Sequence, residues 1–369
     1  GIHVPGAGLT LLPGFDFSPE PGPFGVISQS GGAATDLGHE APSLGLRLSK
    51  VVSFGNGCDL EAASLLEYLA ADPGTLYIAV YLEGVHDGRR FLDILRRTTR
   101  KKPVIVWKAG LTPLGRRAAQ SHTASMGGNH KIWDGLLRQA GATPVQGLDD
   151  MLDTLVALNY LKHMGPRIAF LGGGGAIGVF SSDQASQLGL EVPVFSPETQ
   201  DRLRRFFPTP GNSMKNPLDT GSPALPLDTV VSLCQTVLTR EPIDILIMVM
   251  LLRTLEVEVP SFYAMNSMAP TTEGSYLKGL IEPLVELKGS TGKEVVMVFD
   301  NRAHLASETA VEVVYRESRD AFQRAGIPVY PSVTKALRGI HHALMARRRL
   351  TGLLDSPPKG RTTHSNGPK

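Results

Sequence analysis

The sequence predicts an α/β protein built from two doubly wound parallel sheets. Three observations lead there. Short β-rich apolar runs alternate with helical patterns along most of the chain, as parallel sheets with crossover helices require. The cycle restarts after Met164-Gly165-Pro166. Each half also opens with a strand that runs into a glycine-rich turn and then a helix.

The first half supplies strand-like runs at GVIS (25–28), LSKVVSF (48–54), YIAVYLEG (77–84) and PVIVWKAG (103–110). Between them, DLEAASLLEYLAAD (59–72) reads as a helix with Leu65, Leu66 and Leu69 on one face and Asp59 at its N-cap. Residues 148–163 read as a closing helix. The second half supplies RIAFLG (167–172), EVPVF (191–195), IDILIMVML (243–251), EVVMVFD (294–300) and IPVY (327–330). The expected domains are therefore 24–163 and 167–350, each flavodoxin-like. Residues 252–274 read as an insertion. The polar, Pro/Gly-rich tail 355–369 reads as disordered.

Residues 1–23 carry neither the basic nor the apolar segment of a signal peptide. They are too short and too rich in Gly and Pro for a domain, so they read as a linker remnant, as if something upstream were missing. The chain has 369 residues, 42% hydrophobic and 20% charged, which suits a globular protein with a sizeable core. A net charge of +2 gives no reason to expect nucleic acid or a membrane surface as partner. No apolar run approaches the roughly 20 residues of a membrane span. Cys58 and Cys234 form neither a zinc motif nor a disulfide framework, so no metal site and a cytoplasmic location are expected.

Four segments hold the candidate chemistry. Ser30, Gly31, Gly32 and Ala33 follow the first strand. Free N–H groups at a helix N-terminus bind anions, and small residues let a phosphate reach the backbone. The plain alternative is a tight turn that binds nothing. Gly173, Gly174, Gly175 and Ala176 repeat the arrangement after the strand at 167–172. Gly173, Gly175 and Gly178 also give a formal G-x-G-x-x-G, but the expected acidic residue about 20 positions on is missing. Glu191 starts the next strand instead of ending it, so an NAD-dependent oxidoreductase is not supported. His122 lies in SHTASMGG (121–128), among small residues that would leave it accessible as a nucleophile, or in an ordinary loop. Glu83 ends the strand at 77–84, where carboxylates of such sheets face the ligand crevice, and it could fix the imidazole tautomer.

Taken in order, FGVISQSGG, SKVVSFGNGCDLEAASLLEYLAADP, YLEGVHDGRRF, KPVIVWKAG and SHTASMGG resemble the succinyl-CoA-synthetase-like domains of ADP-forming acyl-CoA synthetases, such as the acetate–CoA ligases. FLGGGGAIGVFSSDQASQLGLEV, FSPETQDRLRRFFP, NPLDT and AGIPVYPSVTKALRGI extend the match, to roughly residues 24–346. The resemblance implies that His122 takes a phosphoryl group from an acyl phosphate and passes it to ADP. It implies that Glu83 orients His122, and that the turns at Ser30–Ala33 and Gly173–Ala176 flank the phosphohistidine. It also implies CoA, ADP or ATP and Mg²⁺ as substrates, without a tightly bound cofactor, and an oligomeric assembly. Ala124 stands where the family usually has Gly, and Asn129-His130 replaces a Ser-Asp. Neither a CoA-binding Rossmann domain nor an ATP-grasp domain is found, so the expectation is a fragment or one subunit. The alternative is a regulatory or binding module of the same fold, of the kind associated with an acetyltransferase. Retention of both His122 and Glu83 argues for the enzyme.

Overall fold

A computed structural model describes residues 1–13, 17–115, 117–118, 130–206, 212–221, 225–258 and 275–350. His122, the tail 355–369 and residues 259–274 of the expected insertion lie outside the described residues. The strands are β1 (Ile2–Val4), β2 (Leu9–Thr10), β3 (Phe24–Ser28), β4 (Leu48–Ser53), β5 (Tyr77–Leu82), β6 (Val104–Lys108), β7 (Thr143–Val145), β8 (Ile168–Gly172), β9 (Ile245–Leu251), β10 (Glu294–Asp300) and β11 (Val329–Tyr330). The first sheet runs β2-β1-β4-β3-β5-β6-β7. From β4 to β7 its pairings are all parallel. Numbered within that unit the order is 2-1-3-4-5, the doubly wound order with its switch point beside β3. The second sheet, β11-β10-β9-β8, is parallel throughout.

The central strands are apolar on both faces because helices cover both faces. Val26, Ala79 and Ile105 of the first sheet join one apolar cluster, whereas Ile27, Ile78, Val80, Val104 and Val106 join another. The outer cluster packs on α2 (Ala62–Ala71), α3 (Gly88–Thr99) and α4 (His130–Ala140). The inner cluster packs on α1 (Gly31–Ser43) and α5 (Leu148–Tyr160) and continues into the second half of the chain. It takes in Ala336, Leu337, Ile340 and Ala343 of α12 (Val333–Leu350), then Phe170, Ile247 and Val298 of the second sheet. The opposite face of the second sheet is covered chiefly by α7 (Pro197–Arg204), α8 (Leu227–Arg240), α10 (Ile281–Thr291) and α11 (Thr309–Arg324). Two further helices are α6 (Gly175–Gln187), after β8, and the short α9 (Ser275–Gly279). The two sheets thus share one helical layer.

Three expectations need correction. Residues 191–195 are not a strand; only Glu191 makes a parallel bridge, to Arg167. The outer edge of β8 is satisfied piecemeal instead. Ile168 N donates to Glu191 O at 2.7 Å, and Leu218 N donates to Phe170 O at 2.9 Å. Between them the Asn216 side chain takes the place of a strand, accepting from Phe170 N at 3.0 Å and donating to Ile168 O at 2.7 Å. Pro193 has no N–H to offer a ladder, and its carbonyl accepts from Asn216 Nδ2 at 3.0 Å.

The helix expected from Asp59 starts at Ala62, with Glu61 in the cap position and no side-chain cap bond. The Glu61 carboxylate reaches instead to Arg90, 3.6 Å away, and His86, 3.7 Å away. Leu65, Leu66 and Leu69 are buried together, as the pattern requires. Within residues 1–23, β1 pairs antiparallel with β4, so the expected linker extends the first sheet.

Inside the shared layer, Asp153 of α5 is 6% exposed and its Oδ2 has no hydrogen-bond partner. Burial pushes its carboxyl up to about 7, against the pull of Lys335 and Arg338. The unfolded chain releases this proton near pH 4. Between those values the native state binds more protons than the unfolded state, so stability falls as pH rises from about 4 to about 7. A shift of this size corresponds to roughly 4 kcal/mol as an upper bound. Asp153→Asn should therefore flatten the pH dependence, with a gain over wild type at pH 8 that disappears by about pH 3.5. Urea unfolding at the two pH values measures this, and an unchanged slope would show that Asp153 is solvated in the native state.

Candidate functional site

The first glycine-rich turn is held at the C-terminal end of β3. Ser28 Oγ donates to Ser30 O at 2.6 Å, and Ser30 N donates to Ser28 Oγ at 3.2 Å. Ser30 caps α1, its Oγ accepting from Ala33 N at 3.3 Å. The first intrahelical bond runs from Ala34 N to Ser30 O, so Gly31 and Gly32 present N–H groups without an acceptor inside the helix. Both glycines are exposed. The positive end of the α1 dipole reinforces them for an anion.

Glu83 lies in the same neighbourhood, and Gln29 is the link. Its Oε1 accepts from Glu83 N at 2.7 Å and from Gly84 N at 3.0 Å. Two backbone donors converging on one atom require the amide oxygen there. Gln29 N donates in turn to Tyr81 O at 3.1 Å. The Glu83 side chain is buried, and Tyr81 Oη donates to its Oε1 at 3.2 Å. Burial, with the Glu83 charge adding to it, pushes the Tyr81 phenol up to about 12, so it remains a donor. Beneath, Lys108 Nζ donates to Glu83 O at 2.7 Å and to Ala109 O at 2.5 Å. Burial brings the Lys108 ammonium down to about 8, partly opposed by Glu83. Gln29 and Lys108 did not stand out in the sequence. Their roles depend on backbone atoms of a neighbouring strand, which no local pattern reports.

The second turn is built differently. Gly172, Gly173 and Gly174 have φ of 90°, 80° and 77°. A Cβ at Gly172 would sit 2.6 Å from Val249 O, so this position excludes a side chain by contact as well as by conformation. Gly174 is the N-cap residue of α6 and supplies no side-chain cap. The N–H groups of Gly175 and Ala176 are therefore left open at the helix start. The turn borders a cavity of about 310 Å³ lined also by Asp219, Thr220, Tyr276 and the apolar Leu225 and Met250. Among the described residues its lining falls within 171–276, and the first turn is not part of it. Burial pushes the Tyr276 phenol up to about 12, and its hydroxyl donates to Leu225 O at 2.9 Å. Asp219 and Thr220 belong to the NPLDT segment quoted above; their place at the turn follows from the bridge between Leu218 and Leu171.

The structure thus gathers Ser30–Ala33 and Glu83 into one group and Gly173–Ala176 into another. Among the described residues no cluster of His, Cys, Asp or Glu is arranged to hold a metal ion. No helix among them is long and apolar enough to cross a membrane. Gln29→Ala would strand the N–H groups of Glu83 and Gly84. It should lower stability by about 1–3 kcal/mol in chemical unfolding. A change within error would show that water replaces the amide.

Residues 21–158 match the family model described as succinyl-CoA ligase like flavodoxin domain. The chain is 34% identical over 305 residues to the α subunit of acetate–CoA ligase (ADP-forming) II of Pyrococcus furiosus, a match spanning 82% of this chain and 61% of that one. It is 32% identical over 206 residues to 4-hydroxybutyrate–CoA ligase (ADP-forming) of Nitrosopumilus maritimus, covering 55% of this chain and 29% of that protein. Among solved structures, an acetyl-coenzyme A synthetase 1 of Ca. Korarchaeum cryptofilum, in complex with phosphate and ADP, superposes with a TM-score of 0.69 at 27% identity. That match covers 91% of this chain and 67% of the other. The chain thus spans less than two thirds of the length of the curated relatives it matches.

Proposed function

Because the chain belongs to the succinyl-CoA-ligase-like family of ADP-forming acyl-CoA synthetases, we propose that it is the phosphoryl-carrying part of such a ligase. The overall reaction interconverts acyl-CoA, ADP and phosphate with the acid, CoA and ATP. The observation that carries the proposal is a buried carboxylate, Glu83, tethered to the open helix N-terminus at Ser30; a second open helix N-terminus, at Gly174, supports it.

In this reading phosphate displaces CoA from the acyl-CoA, giving an acyl phosphate and CoA thiol. An imidazole nitrogen of His122 then attacks the phosphorus. The P–O bond to the acyl group breaks, its electron pair leaves on the carboxylate, and phosphohistidine forms. ADP next attacks the same phosphorus and the P–N bond breaks, returning neutral imidazole. Glu83 accepts the N–H of the other ring nitrogen, which fixes the attacking tautomer and stabilises the charge that develops on transfer. On this reading the N–H groups of Gly31, Gly32, Gly175 and Ala176, with two helix dipoles, jointly compensate the dianionic phosphoryl group. CoA and the Mg²⁺–nucleotide enter through a CoA-binding Rossmann domain and an ATP-grasp domain, supplied by other parts of the assembly.

With an ATP-grasp partner, magnesium and labelled ATP, the chain should acquire a phosphate that is acid-labile and base-stable. This pattern belongs to phosphohistidine and not to phosphoserine at Ser121 or Ser125. His122→Ala should abolish the label, and a label that persists there would move the carrier elsewhere. A wild-type chain that takes up no label with any such partner would favour the non-catalytic module. In the same assay Glu83→Gln should slow labelling by about 10²-fold or more while folding is retained. Unchanged labelling would reduce Glu83 to a strand-end carboxylate.

A further inference from the structure

Both polar backbone atoms of Glu83 are held by side chains from neighbouring strands or their ends. Gln29 Oε1 accepts its N–H, and the Lys108 ammonium donates to its carbonyl. Lys108 is the last residue of β6 and only 4% exposed. An ammonium carries three donors and no acceptor. Lys108 directs two of them to Glu83 O at 2.7 Å and Ala109 O at 2.5 Å. On a further side stands the face of Trp133, its ring centroid 5.0 Å from Nζ. Burying a charge is costly unless it is fully bonded. A methionine would fill the same space without that cost. The lysine therefore has a use that packing does not supply.

Its three contacts show what that use is. Glu83 O belongs to the strand end that presents the carboxylate. Ala109 is the residue at which the chain leaves β6 toward His122. Trp133 lies in the first turn of α4, the helix that follows His122 in sequence. We propose that Lys108 is a positioning residue for phosphoryl transfer, holding the Glu83 strand end in register with both ends of the connection that bears His122. This role rests on the function proposed above, in which Glu83 accepts from the His122 imidazole. Lys108 acts only through what it holds. Its bond to Glu83 O and that of Gln29 to Glu83 N fix the peptide units on either side of the Glu83 Cα. The Tyr81 hydroxyl then bonds the carboxylate itself. A shift of about 1 Å in such a group can cost about 10²-fold in rate.

A double-mutant cycle in the labelling assay, with an ATP-grasp partner, magnesium and labelled ATP, tests the role. Lys108→Met should slow labelling between about 10- and 10²-fold. In a Glu83→Gln background the same substitution should cost less than about 2-fold more, because the group it positions is already gone. Equal losses in the two backgrounds would make Lys108 a residue that acts independently of Glu83, and would overturn the proposal. Amide exchange on the chain alone supplies a readout that needs no partner. Lys108→Met should speed exchange at Glu83, Gly84 and Ala109 at least about 10-fold while the amides of β9 and β10 keep their wild-type rates. Unchanged exchange at these three positions overturns the proposal whether or not the chain takes up label. A wild-type chain that takes up no label removes the function proposed above and this role with it. Wild-type labelling with equal losses in the cycle removes this role alone. Should Lys108→Met fail to fold, Lys108→Gln, which keeps a polar head, takes its place in both measurements.

Discussion

Two sheets can share one helical layer only if its helices approach closely enough to exclude water from both sides. One such close approach is between α5 and α12, at Gly339. A Cβ there would stand 2.5 Å from Asp153 O and 3.1 Å from the Tyr330 hydroxyl. Tyr330 Oη donates to that same carbonyl at 3.0 Å, clamping the end of the second sheet to α5. Arg347, further along α12, donates to Lys162 O at 2.7 Å and Leu158 O at 3.2 Å, around the other end of α5. The apolar cluster therefore passes unbroken from β3 and β4 through the helices to β9 and β10. The angle at which each sheet presents its strand ends follows from this packing, and the glycine turns ride on those ends.

The two turns reach the same electrostatic result by opposite means. At Ser30 a hydroxyl satisfies one backbone donor and fixes the helix start, so two others remain open in a defined direction. At Gly174 no side chain helps, and successive left-handed residues bend the backbone away from β9 instead. The first arrangement is rigid through its tie to β5 by way of Gln29. The second depends on the absence of side chains, and its neighbours Asp219 and Thr220 arrive from a segment that follows the missing strand. Any anion held by the second turn therefore meets a carboxylate as well as N–H groups.

The strands were readable because helices cover both faces, which writes β8, β9 and β10 as continuous apolar runs bounded by Gly, Pro or charge. The glycine turns were readable for the same reason, since each follows such a run directly. The edge of the second sheet was not. EVPVF alternates like a strand, yet Pro193 cannot donate, and the partner that replaces it is an amide side chain at Asn216. Asp59 looked like a cap because the sequence does not show Glu61 drawn toward Arg90. Gln29, Lys108 and Tyr276 went unnoticed since each acts on atoms brought near only by strand pairing or loop closure.

The short strand β1 changes what the first sheet offers at its edge. β4 is the outermost parallel strand of the first sheet, and Val51 and Val52 on it are apolar. Without β1 its outer backbone donors and acceptors would form an open template for another chain. Ile2 and His3 lie opposite Val52 and Val51 and occupy that edge. β2 then becomes the rim, and two residues are too few to recruit a stranger. A stretch that reads as mere connection thus serves as a selvedge, the finished border that stops a woven sheet from being sewn to the next.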